Sequence, residues 1–165
     1  MERERRFLVR DERWPEPAPP YSRTIEDLYL DCGRLRLRRM VDADSGCVIY
    51  KLSKKYGPES PGIEPIVTTM LSEQEYAALA VLPGRRLAKT RHYDDTSGRI
   101  FGIDVFAGEL EGLVLCETEA DSEVELRAIV PPDYAGTEVT ADPFFTGGSL
   151  SRARRDELLA KLGRQ

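Results

Sequence analysis

Six short stretches of the chain alternate charged side chains with apolar or neutral ones. Glu2, Glu4 and Arg6 alternate at the start, and Arg34, Arg36 and Arg38 alternate around Leu35 and Leu37. Lys51, Ser53 and Lys55 follow, then Lys89 and Arg91, Asp104 between Ile103 and Val105, and Glu117 and Glu119 around Thr118. In a strand, residues two apart share a face. Each stretch therefore offers one ionic face and one more apolar face. An ordinary sheet turns its charged face to water and mixes the signs there. Here the signs segregate, with acids near both ends of the chain and bases in the middle strands. Turned inward, such faces make a lumen with acids Glu2, Glu4, Asp104, Glu117 and Glu119. Its bases are Arg6, Arg34, Arg36, Arg38, Lys51, Lys55, Lys89 and Arg91. Burying so many charges around nothing is costly, so a ligand or water is required inside. Clustered bases attract an anion, and the planar fork of Arg suits phosphate. Carboxylates beside those bases would repel that anion unless a hard cation bridges them. Mg²⁺ or Mn²⁺ takes oxygen ligands from one or two carboxylates and from substrate phosphates. The implied ligand is a metal-bound polyphosphate.

Those faces need strands to position them. Strand-like runs fall at 2–9, 25–30, 34–41, 47–55, 64–70, 86–93, 99–106 and 113–120. Turn residues separate them, among them Cys32-Gly33, Asp44-Ser45-Gly46 and Tyr56-Gly57-Pro58. Eight strands at this spacing form a meander that must close or stack to bury its faces. Three helices are predicted. The first opens on a capping box at Ser72 and Glu75 and runs to Leu82. The second runs from Asp121 or Ser122 to Ile129, before Pro131. The third runs from Ser151 to Leu162, ends at Gly163, and is expected on the outside of the sheet.

At 165 residues, with 41% hydrophobic and 32% charged residues, the chain reads as one domain (1–165) with a real core, closed by a C-terminal helix at 150–165. The net charge of −5 argues against a broad nucleic-acid face. No apolar run approaches the ~20 residues of a membrane helix, and MERERRFLV lacks the apolar stretch of a secretory signal. Cys32, Cys47 and Cys116 are odd in number and unpaired in spacing, which fits reduced thiols and a cytoplasmic location. His92 is the lone histidine, so multi-histidine metal sites are excluded.

On these motifs the sequence resembles the CYTH family, the triphosphate tunnel metalloenzymes. The family's ExExK strand and following FLV are matched by Glu2-Arg3-Glu4-Arg5-Arg6 and Phe7-Leu8-Val9. Its tyrosine-leucine is Tyr29-Leu30, its RxR strand Arg36-Leu37-Arg38, and its T-x-K strand end Ser53-Lys54-Lys55. Its K-x-R strand is Lys89-Thr90-Arg91, its IDVF stretch Ile103-Asp104-Val105-Phe106, and its ExE strand Glu117-Thr118-Glu119. A late VT-x-D turn is Val139-Thr140-Ala141-Asp142. The motifs occur in family order over residues 1–150. The resemblance implies a mainly β, α+β fold: a closed antiparallel eight-stranded tunnel barrel with an ionic lumen and helices packed outside. It implies metal-dependent hydrolysis or cyclisation of a triphosphate. Glu2, Glu4, Glu117 and Glu119 would be Mg²⁺ or Mn²⁺ ligands, with Asp104 assisting catalysis. Arg6, Arg36, Arg38, Lys51, Lys55, Lys89 and Arg91 would grip phosphates. Three departures stand out. Arg6 replaces the usual lysine, Gly102 stands where many members carry an acid, and Pro143–Gly148 replaces a basic or tyrosine-bearing stretch.

Other features read more plainly. Gly84–Thr90 lacks the second glycine of a P-loop and leads into a strand. His92 has the opposite parity to Lys89 and Arg91 and is expected to face outward. Arg152, Arg154 and Arg155 sit beside Asp156 and Glu157 as a solvated face, and Trp14 is expected to dock its proline-rich loop onto the barrel. The preferred substrate is inorganic tripolyphosphate, because no base-recognition insert is evident. Adenylyl cyclase, thiamine triphosphatase and a non-catalytic polyphosphate- or nucleotide-binding module are the alternatives. No nucleic acid, no membrane, and a monomer or homodimer are expected.

Overall fold

A computed structural model describes residues 1–9, 18–95 and 97–163. Trp14 lies outside the described residues. The fold is one curled antiparallel sheet. Its strands are β1 (Glu2–Val9), β2 (Ser22–Leu30), β3 (Leu35–Asp42), β4 (Val48–Lys55), β5 (Ile63–Glu64), β6 (Ile66–Leu71), β7 (Gly84–Asp94), β8 (Phe101–Phe106), β9 (Val114–Glu119) and β10 (Ala135–Glu138). The helices are α1 (Glu73–Leu79), α2 (Glu123–Ala128), α3 (Gly147–Leu150) and α4 (Arg155–Lys161). The predicted capping box opens α1, with Ser72 accepting from Glu75 N and the Glu75 carboxylate returning to Ser72 N.

Strand order across the sheet is β10-β1-β9-β8-β7-β2-β3-β4-β6, so the expected closed eight-stranded barrel is corrected to an open, curled path of nine strands. The reason is local. Pro65 brings no N–H to a ladder and divides the segment between β5 and β6. The first two residues pair with β1 (Glu2↔Glu64, Arg3↔Ile63), while β6 pairs with β4 (Lys55↔Ile66). The segment thus touches both margins of the sheet at one end only. Gly62 makes this contact close. It has φ +75°, its carbonyl accepts from Glu4 N at 2.8 Å, and a Cβ there would lie 2.3 Å from the Glu4 carbonyl oxygen. Short β10, with Gly136 at its second position, escaped the sequence reading and covers the later half of β1.

The two faces of the sheet are covered differently. The convex face carries Phe7, Ile103 and Cys116, packed with Leu126 and Ile129 of the α2 region. It also carries Leu28, Leu30 and Leu37, packed with Tyr76 and Leu79 of α1. The concave face is half ionic and half apolar. Leu8, Leu87, Phe106 and Leu115 share the parity of Arg6, Lys89, Asp104 and Glu117. These apolar residues pack with Phe145, Leu150 of α3 and Leu158 of α4. The C-terminal helices therefore lie on the concave side and fill its apolar end, where an outside position was expected. The ionic stripe covers only part of each strand, and the remaining apolar stretch needs apolar cover.

Leu158 is fully buried in this plug. Leu158→Ala is expected to cost about 2–5 kcal/mol of stability, read as a lowered urea midpoint.

Candidate active site

The ionic half of the concave face gathers side chains from β1, β2, β3, β4, β7, β8 and β9. On the acidic side, Arg6 of β1 lies opposite Glu117 of β9, and Glu4 lies opposite Glu119. Arg6 donates from Nε to Glu117 at 2.8 Å and pairs through Nη2 with Glu4. Arg91 donates from Nε and Nη2 to Asp104 at 2.6 Å each, and from Nη2 to Glu117 at 2.5 Å. Lys89 pairs with Asp104 from the other side. Asp104 is fully buried between them.

On the basic side, Arg38 of β3 lies between Asp27 of β2 and Lys51 of β4 in register. Arg38 donates to Asp27 at 2.6 and 2.7 Å, and Arg36 stands 3.9 Å from the same carboxylate. Lys55 joins the two sides, pairing with Glu2 of β1 and standing 3.2 Å from Glu64 of β5. Beside Glu117 and Glu119 lies a hollow of about 340 Å³, also lined by Arg91, Tyr93, Ile100 and Gly102.

The carboxylates respond to this crowding in opposite ways. Burial pushes Glu4 up to about 7; Arg6 opposes the rise, while Glu117 and Glu2 add to it. Partial burial and the Glu2 charge also raise Glu119. Burial would raise Glu117 too, but Lys89, Arg6 and Arg91 hold it well below the usual carboxylate range. Burial lowers Lys51, and the neighbouring Arg38, Arg23 and Arg36 lower it further. The site thus has carboxylates short of positive charge and a lysine short of negative charge. By donor chemistry Glu2, Glu4, Glu117 and Glu119 suit a hard cation, because their mutual repulsion is what such a cation relieves. Among the described residues no three His, Cys, Asp or Glu side chains are gathered as a metal cage. Glu2, Glu4 and Glu117 are instead engaged by Lys55 and Arg6.

Of the thirteen residues assigned to the lumen from sequence, twelve lie on strands with the parity of the concave face. Arg34 does not join them: it precedes β3 and is exposed. Lys54 points outward, over the Tyr56 ring, and His92 is turned to the Pro19 carbonyl at 3.2 Å. The sequence reading missed Asp27 and Glu64. Asp27 shares a face with Ile25 and Tyr29 within a predicted strand, and that parity was available.

The chain is 42% identical over 69 residues to an inorganic triphosphatase of Nitrosomonas europaea, a stretch amounting to 41% of this chain and 46% of that protein. The match thus spans less than half the length of that curated relative. The solved structure of the inorganic triphosphatase NE1496 superposes with a TM-score of 0.60 at 26% identity, covering 93% of this chain and 95% of that one. In sequence over that stretch, and in fold over nearly its whole length, the chain is similar to inorganic triphosphatases. An adenylate cyclase candidate from Bacillus halodurans, 18% identical, shares the fold with a TM-score of 0.53 over 88% of this chain and 98% of that one. No family model matches the chain.

Two departures from the CYTH pattern now have a physical setting. Gly102 lies opposite Glu117 in register, and a Cβ there would stand 3.0 Å from Arg91 Cδ and 3.1 Å from its Nε. Glycine leaves Arg91 room to lie across β8 and hold both Asp104 and Glu117. Within the 143–148 segment Pro143–Phe145 forms a 3-10 turn whose Phe145 seats in the plug, and Gly147 and Gly148 open α3.

Asp104→Asn removes the shared partner of Lys89 and Arg91 and is expected to cost about 3–5 kcal/mol. A second expectation concerns acid. Glu117 is held below its ordinary range, so its stabilisation is present above the unfolded carboxylate value and is lost as pH falls below it. Urea midpoints should drop below about pH 4, and Glu117→Gln should flatten that drop.

Proposed function

We propose that this chain hydrolyses a triphosphate, with inorganic tripolyphosphate as the preferred substrate and Mg²⁺ or Mn²⁺ as cofactor. The observation that carries this reading is that acidic and basic side chains share one face of the curled sheet, with Lys55 of β4 reaching Glu2 of β1. Glu2, Glu4, Glu117 and Glu119 stand on β1 and β9, and Arg36, Arg38, Lys51 and Lys55 on β3 and β4. The names of the relatives support triphosphate chemistry.

In this reading Arg36, Arg38, Lys51 and Lys55 bind the phosphate chain from the basic wall. Lys89 and Arg91 reach it from β7, and Arg6 from β1. Guanidinium forks fix the phosphoryl oxygens in place and offset the charge that develops on them during transfer. Asp104 positions Lys89 and Arg91 by bonding both. Glu2, Glu4, Glu117 and Glu119 would hold the cation, exchanging their Lys55 and Arg6 contacts for it. That cation supplies charge neutralisation at the phosphoryl oxygens. A carboxylate of the same group orients the attacking water for in-line displacement. Catalysis is then positioning and electrostatics. The apolar plug closes the far end of the concave face, so the substrate enters from the ionic mouth. The sequence offers no evident base-recognition insert, which favours the inorganic substrate over a nucleotide or thiamine ester. A cytoplasmic setting goes with the chain's unpaired cysteines; among the described residues no helix is long and apolar enough to cross a membrane.

A second reading, a polyphosphate- or nucleotide-binding module without turnover, draws on one observation: no three of the described acidic side chains are gathered as a cation cage. Kinetics separates the two. Glu4→Gln and Glu119→Gln should each lower kcat at least about a hundredfold with Mg²⁺ present, whereas Arg38→Ala should act mainly on KM. Full activity in both Gln variants would contradict the hydrolytic scheme.

A further inference from the structure

The basic wall of the cavity contains a carboxylate that the scheme above leaves unused. Asp27 stands on β2, is 2% exposed, and faces the concave side with Tyr29. Arg38 gives it both Nε and Nη2, at 2.6 and 2.7 Å. Arg36 Nε is buried, lies 3.9 Å from the same carboxylate, and has no hydrogen-bond partner among the described residues. A buried donor left unbonded is uncommon in a folded chain and marks a place where a ligand oxygen is wanted. Lys51 lies opposite Arg38 on β4, and Lys89 of β7 is close enough to act on Asp27 electrostatically.

We propose that Asp27 is a fixed counter-ion that sets how tightly the cavity holds polyphosphate: it locks one edge of Arg38 and subtracts one charge from the basic wall. The inference rests on the reading that this wall binds phosphate. Asp27 is too deeply buried to swing away when an anion arrives. Arg38 then meets the anion end-on, through Nη1 and the second N–H of Nη2, and Arg36 meets it with a free Nε–H. Without Asp27 the arginines and lysines of the wall would hold a diphosphate product as well as the substrate. Binding substrate and product more tightly does not speed the chemical step. A carboxylate facing the anion site weakens both, because like charges brought together without solvent repel strongly. Asp27 acts through Arg38 and is a positioning residue.

The test is isothermal titration of the whole protein with diphosphate, and separately with tripolyphosphate, in EDTA so that no turnover occurs. Asp27→Asn keeps the shape and removes the charge. Its Kd for diphosphate should fall about tenfold or more relative to the natural chain. In an Arg38→Gln background the same substitution should tighten binding far less. Equal or weaker diphosphate binding by Asp27→Asn would overturn the proposal, since a purely structural role lowers Tm without tightening any anion. If Asp27→Asn does not fold, the natural chain decides through its arginine Nε–H resonances. On adding tripolyphosphate the Arg36 signal should shift and the Arg38 signal stay, and the reverse pattern would overturn the proposal. Absence of any polyphosphate binding by the natural chain would overturn the phosphate reading of the site and this inference with it.

Discussion

Charges can be buried in this fold only because each strand hands its neighbour a partner. Asp104 on β8 answers Lys89 and Arg91 on β7; Glu117 on β9 answers Arg6 on β1 and Arg91; Asp27 on β2 answers Arg38 on β3. Unpaired, any one of these ions would carry a desolvation cost of several kcal/mol. Paired across the ladder, they form separate ionic clusters on one face of the sheet, one around Asp104 and Glu117 and another around Asp27. The antiparallel register is what delivers them, because partners directly opposite share a face. A slip of one residue would turn the whole ionic set outward and the apolar convex set inward. Register, core and site are therefore fixed together.

The same constraint explains the division of the concave face. Ion pairs fill the half near Glu2, Glu4 and Glu119, and leucine and phenylalanine fill the half near Leu8, Leu87 and Phe106. The second half needs a dry cover, which Phe145, Leu150 and Leu158 provide. The C-terminal segment thus completes the cavity as well as the core. The open margin between β6 and β10 is spanned at one end by the short β5 pairing and by Lys55, which reaches Glu2 and Glu64.

Much of this was legible in the sequence because strands obey a period of two. Parity alone placed Arg36 with Arg38, Lys89 with Arg91, and Glu117 with Glu119, and it turned Lys54 and His92 outward. The eight expected strands are all present within a few residues, since each alternates cleanly between turn residues. What parity does not contain is closure. Whether a curled sheet seals depends on how far each margin reaches, and Pro65 shortens that reach by a local backbone effect. The third helix was misplaced because its leucines specify an apolar partner without saying which face supplies it. Asp27 was overlooked because one acid in an otherwise apolar strand carries no pattern of its own; its meaning comes from the Arg38 beside it in register.

The most direct measurement is phosphate release from tripolyphosphate by the purified chain with Mg²⁺, with Mn²⁺ and with EDTA, run beside ATP and thiamine triphosphate. Release that requires the cation and is fastest with tripolyphosphate is the predicted result. Tight binding of tripolyphosphate with no release under any of these conditions would contradict the account and leave a binding module in its place.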